Sequence, residues 1–181
     1  MVGSCEDDPT DCSLRLTVRP SIPSIPQIDE LPVLLRVRVP PEWQDANGHL
    51  NIRYYMHLYD KAGGPLYEGF GIQEWRKKSS WSVFDIEHHV WYFRETHVGD
   101  EITVHCRLHK RTTKRFHGTM LLVNRTRDAL SSAMEFVATG ADLAARSTAS
   151  IPAAVAERID AQIERDQKLT WAVPMCGVMA P

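Results

Sequence analysis

Residues 44–55 read QDANGHLNIRYY, and five of them, Asp45, Asn47, Gly48, His49 and Asn51, are types that bind, cap or exchange protons. A carboxylate can attack an electrophilic carbon or take a proton from water, and an imidazole can orient or relay that proton. The same residues also make turns, because Asn, Asp and Gly adopt tight backbone conformations readily. Asp45 therefore either caps its own loop or presents a reactive carboxylate. Asn51 suits a helix N-cap. His49 suits an orienting hydrogen bond or a buried structural role, and Gly48 predicts a positive φ or a close backbone approach.

The flanking patterns say what must position these groups. Residues 33–39, VLLRVRV, alternate as a strand with Leu35, Val37 and Val39 on one face. Tyr55, Leu58, Tyr59, Ala62, Leu66 and Phe70 recur at helical spacing, so a helix with one buried face follows Asn51. Gly63, Gly64 and Pro65 predict a kink or break in it. Period-two runs then occupy 81–95, 102–109 and 115–124, the second with Ile102, Val104, Cys106 and Leu108 on one face, and 131–146 suits strand or helix by its alanines but follows three strands, which favours strand. Residues 152–166 pattern as a helix with Val155 and Ile159 as a narrow seam. This order gives an α+β fold, one long central helix on a five-stranded antiparallel sheet, with a C-terminal helix. A proline-bearing leader over 1–32, a body over 33–150 and a helix with tail over 151–181 divide the chain. If the long helix begins near Asn51 to Arg53, the N–H groups of Arg53, Tyr54 and Tyr55 and the positive helix end face whatever sits beside Asp45.

The chain has 181 residues, 43% hydrophobic and 24% charged, with a formal net charge of −2. That suits one globular domain, and it lacks the basic excess of a nucleic-acid binder. No run approaches the roughly 20 apolar residues of a membrane span. The acidic start, MVGSCEDDPTDC, is unlike a secretory signal, so the cytoplasm is the expected compartment. The four cysteines, including Cys5 and Cys12 in the leader, form neither a disulfide framework nor a paired zinc motif. His88, His89, His105, His109 and His117 sit on strands without a completing carboxylate, so no metal is expected.

The segments DANGHLNIRYY, YDKA, EHHVWYFRETHVGDEITV, TTKRFH and SSAMEFVATGAD resemble the hotdog-fold acyl-CoA thioesterases of the 4-hydroxybenzoyl-CoA type. Within that family the likeness is greatest to the betainyl-CoA thioesterase group associated with carnitine breakdown. The resemblance implies a hotdog fold and hydrolysis of an acyl-CoA thioester by a homodimer or homotetramer, with CoA as part of the substrate and no other cofactor. It implies that Asp45 is the catalytic carboxylate, as nucleophile or as general base on water, with His49 and Asn51 beside it. Glu87 or Glu95 on the long strand either faces the acyl pocket of a partner subunit or lies on a solvated strand face, and Glu87 joins Gly48, Arg53, Tyr54 and Tyr55 as an acyl-binding candidate. Trp91 and Tyr92, with Trp81, offer aromatic faces to a quaternary ammonium. Lys114, Arg115 and His117 would meet CoA phosphates. Two further functions share such a fold: an enoyl-thioester hydratase and a non-catalytic acyl-CoA-binding module.

Overall fold

The computed structural model describes residues 20–181; Cys5 and Cys12 lie outside them. Helix α1 (Ile25–Ile28) leads into strand β1 (Val33–Arg38), the long helix α2 (Ile52–Gly69) and a short α3 (Ile72–Lys78). Strands β2 (Trp81–Tyr92), β3 (Glu101–Arg111), β4 (Arg115–Asn124) and β5 (Ala129–Asp142) follow, then the two-residue β6 (Ser147–Thr148) and helix α4 (Ala153–Asp166). The sheet is antiparallel in the order β1-β3-β4-β5-β2, with β6 added beside the end of β5. It curls around α2 in the manner of a hotdog fold.

The expected strands are present, and their inner faces form the main core. Ile102, Val104, Cys106 and Leu108 of β3 pack with Phe116, Met120 and Leu122 of β4 and Met134, Phe136 and Ala138 of β5. Against them lies the stripe Tyr55, Leu58, Tyr59, Ala62 and Leu66 of α2. A second apolar cluster covers the opposite face of the sheet: Leu121, Val123, Leu130 and Ala133 are overlaid by Ile28 and Leu31 from one terminus and Trp171 and Val173 from the other. The tail is held there by Arg107, which donates to the carbonyls of Leu169 and Trp171 and lies 4.9 Å over the Trp171 ring.

Two features differ from the pattern reading. Helix α2 runs unbroken through Gly63, Gly64 and Pro65. Pro65 is exposed in its last turns, while Ala62, Gly63 and Leu66 remain buried, so packing of the stripe carries the helix past the missing N–H. The long run 81–95 ends as strand at Tyr92 and contains a bulge between Asp85 and Glu87, with Ile86 as the extra residue. A bulge moves the alternation by one place. Asp85 is opposite Ala138 and His88 opposite Phe136, both on the helix side, whereas Glu87, His89 and Trp91 pair with Val137, Glu135 and Ala133 on the outer side.

Candidate active site

The loop between Trp43 and α2 is a closed turn. Gln44 bridges Leu50, the Asp45 N–H donates to the His49 carbonyl at 2.8 Å, and Gly48 takes a φ of +83°. Asp45 Oδ1 accepts from the N–H groups of Asn47 (2.8 Å) and His49 (3.2 Å). Asp45 is therefore a loop cap through one oxygen, while Oδ2 takes no hydrogen bond from the described residues. Its charge reaches the first turn of α2, where it helps hold the buried Tyr55 phenol above its ordinary range, burial being the larger cause. Asn51 caps that turn, its side chain accepting from Arg53 N at 3.1 Å.

That cap corrects the expected carbonyl-polarising donors. The Arg53 N–H is taken by Asn51 Oδ1 and the Tyr54 N–H by the Asn51 carbonyl at 2.9 Å. The Ile52 N–H, one residue earlier, has no acceptor among the described residues and points the positive helix end outward. Tyr54 is a brace, stacked on Trp43 at 4.8 Å with its hydroxyl toward the Glu42 carbonyl.

A second loop completes the junction. Leu50 N donates to the Thr96 carbonyl at 2.7 Å, which sets residues 95–97 against the Asp45 turn. His49 Nε2 lies 3.4 Å from Glu95 Oε2, and the His49 and His97 rings meet edge to face at 5.0 Å. The sequence offers Glu95 only as a strand residue beside Glu87, and His97 not at all, because nothing in their spacing ties them to residue 49. The link is tertiary.

Between α2 and β2 lies a cavity of about 320 Å³. Met56 and His57 line it one turn into α2, and Asp60 and Tyr67 continue along the helix. Asp85 and His88 enter from β2, and Met120, Met134 and Phe136 form its floor. Asp85 accepts from the Tyr67 hydroxyl at 3.0 Å and stands 3.2 Å from His88 Nε2. Burial, then the Asp85 charge, pushes the Tyr67 phenol well up. Asp60 makes no hydrogen bond to the described residues. The cavity thus combines two carboxylates with aromatic and thioether walls.

Several predicted contacts lie elsewhere. Glu87 and Trp91 are on the outer face beyond the bulge, so neither faces the cavity; Trp91 packs instead at the edge of the outer cluster. Tyr92 is on the helix side, its ring 5.0 Å from Tyr55. Trp81 is buried in the main core. His117 is fully buried under the tail, 2.8 Å from Glu135 Oε1, and cannot reach a CoA phosphate. Glu135 Oε2 in turn accepts from Cys176 N. Lys114 and Arg115 are exposed at the far end of β3 and β4, about 30 Å along the strands from Glu101, and so stand far from Asp45 of the same chain. Beside Glu95 and His97, by contrast, Arg94 and Arg127 line an open groove.

A family model described as the thioesterase-like superfamily matches residues 39–159. The chain belongs to the thioesterase-like superfamily. The matched span runs from just before the Asp45 turn into α4, so it takes in both loops, the cavity and strands β2 to β5. A betainyl-CoA thioesterase of Pseudomonas aeruginosa is 33% identical over 89 residues, 49% of this chain and 52% of that protein. The chain thus spans about half the length of this curated relative. Among solved structures, a Staphylococcus aureus protein determined in complex with CoA superposes with a TM-score of 0.73 at 20% identity, over 83% of this chain and 95% of that one. A 1,4-dihydroxy-2-naphthoyl-CoA thioesterase from Synechocystis gives 0.62 at 14% identity, over 70% and 93%. At these identities the structures establish the shared fold.

Proposed function

We propose that this superfamily member hydrolyses the thioester of a short acyl-CoA whose acyl group carries a positive charge, betainyl-CoA being the type. The observation that carries the substrate class is the pairing of Asp60 and Asp85 in one cavity with Tyr67 and Phe136. A quaternary ammonium is bound by aromatic faces, at about 0.5–2 kcal/mol per contact, and by carboxylates that it need not hydrogen-bond. The resemblance to a betainyl-CoA thioesterase supports the same choice.

The chemistry follows from the loop. Asp45 Oδ2 either attacks the thioester carbon or removes a proton from the water that does. The C–S bond breaks, CoA leaves as a thiol once protonated, and the acyl group leaves as a free acid. A mixed anhydride at Asp45, where it forms, is hydrolysed in a second step. The Ile52 N–H at the head of α2 is the donor nearest in sequence for the developing oxyanion, and losing one such donor in acyl transfer typically slows the reaction about 10²–10³-fold. Arg94 and Arg127 offer guanidinium groups to CoA phosphates. No cofactor enters this scheme.

A second copy of the chain is part of the proposal. Strand β2 ends the sheet, with Phe84 and Ile86 exposed along it, and the cavity opens at that edge. Joining two β2 edges closes the cavity and removes an unpaired strand.

The test is thiol release from betainyl-CoA, acetyl-CoA and benzoyl-CoA by the full chain and by Asp45→Asn. Betainyl-CoA turns over fastest and the variant loses most activity, about 10³-fold or more. Retained activity in Asp45→Asn moves the chemistry elsewhere. Preference for a neutral acyl group removes the cation assignment, and tight binding without turnover of any acyl-CoA makes the protein a binding module.

A further inference from the structure

We infer that His49, Glu95 and His97 form a binding site for a divalent transition-metal ion, of which Zn2+ is the type. The three donor atoms lie within 4.8 Å of one another. Glu95 Oε2 is 3.4 Å from His49 Nε2 and 3.9 Å from His97 Nε2. A tetrahedral zinc ion bonded at about 2.0–2.2 Å holds its ligands about 3.4 Å apart, so one separation already fits and the other closes with a small side-chain rotation. Both histidines present Nε2 to a common carboxylate oxygen, the arrangement of a chelate with one carboxylate and two imidazoles.

The backbone beneath the site is fixed independently of any ion. His49 lies on the Asp45 turn and Glu95 and His97 on the loop after β2, and the Leu50 N–Thr96 carbonyl bond at 2.7 Å ties the two loops at that point. The other ring nitrogen of His97, Nδ1, is buried without a hydrogen-bond partner and stands 3.9 Å from Asp100 Oδ2. Asp100 is itself held by Asn124 at 2.7 Å and by Arg127 at 2.9 Å. A carboxylate behind a ligating imidazole orients the ring and raises its basicity. Two imidazoles and one carboxylate select zinc, copper, nickel or iron over magnesium and calcium, which prefer oxygen ligands. The half-exposed histidines leave the fourth position to water.

The ion would join two loops that otherwise share a few backbone bonds. Because the His49 N–H also holds Asp45 Oδ1, occupation fixes the turn that carries the carboxylate. The site stands on its ligand geometry alone and does not depend on the thioesterase reading.

The full chain, stripped with a chelator, is titrated with Co2+ and Zn2+, followed by visible absorption and calorimetry. One Co2+ per chain is expected, with absorption bands of low-symmetry four- or five-coordinate cobalt that Zn2+ abolishes. The Glu95→Ala/His97→Ala double variant retains every other histidine and cysteine, and should bind at least about 100-fold more weakly with those bands gone. Circular dichroism checks that the variant is folded, and His97→Ala alone serves if the double variant is not. Equal binding by the parent chain and the variant, or no stoichiometric binding by the parent, overturns the site.

Discussion

At the residue scale the candidate site was half legible. The Asp45 turn is local in sequence, so its cap, its positive-φ glycine and the Asn51 N-cap could be read from residue types, and Asp45 proves to be both a cap and a carboxylate with a free oxygen. His97, Asp60 and Asp85 escaped, and Glu95 was placed on a strand and not beside His49, because each joins the site through the fold, from a strand, a second loop or the middle of a helix. Asp85 gives the sharpest prediction. Its removal in Asp85→Asn takes one negative charge from the cavity and leaves the volume. At a separation of about 5 Å and an effective dielectric near 20, that charge is worth up to about 3 kcal/mol, so kcat/KM for betainyl-CoA should fall about 10–100-fold. Acetyl-CoA turnover should change little, and a parallel fall for both substrates in the same assay refutes a charge-recognition role.

At the element scale, periodicity located nearly every strand and both long helices. β4 and α4 emerged almost residue for residue, β4 because polar turns bound a continuous buried run and α4 because it buries one regular stripe. What periodicity missed were interruptions whose outcome is decided by packing. Pro65 is one: it sits in a helix whose buried stripe continues on both sides. Pro65→Ala restores an N–H to the helix and is expected to stabilise the protein by about 2 kcal/mol, after allowing for the more flexible unfolded chain. Thermal denaturation should show a rise of about 4–8 °C. An unchanged melting temperature means that the helix has already relaxed around the proline.

At the scale of the whole molecule, the sheet is covered on both faces, by α2 on one and by the two ends of the described chain on the other. Beneath the tail lie histidines that burial keeps neutral. His109, hydrogen-bonded to Thr119 at 2.8 Å, is lowered to about 3, mainly by burial and then by the nearby His117, and His105 on the same face is lowered mainly by burial. A depressed histidine in the folded state means that the unfolded chain binds more protons below about pH 6.5. Stability therefore falls as pH drops from about 6.5, by up to about 1.4 kcal/mol per pH unit for each such group, and His109 contributes down to about pH 3. Urea midpoints measured between pH 7 and pH 4.5 should show the fall, and His109→Gln should flatten it; a flat profile in the parent chain contradicts neutral burial. At the same scale, Ile86→Lys places a charge on the exposed β2 edge and should yield monomers by sedimentation, with loss of turnover. A variant that remains dimeric and active moves the subunit contact to another surface.

The extra residue in β2 has a consequence for how this chain can change. Ile86 acts as a frame-shift point in space: upstream of it odd-numbered side chains look toward the helix, downstream of it even-numbered ones do. Deleting that one codon would remove the bulge and leave plain alternation, with Asp85 still opposite Ala138 and Glu87 opposite Val137. The extra residue is thus a length change that the sheet has already absorbed, and Asp85 and His88 share one cavity because it is taken up as a bulge and not as a slip in register.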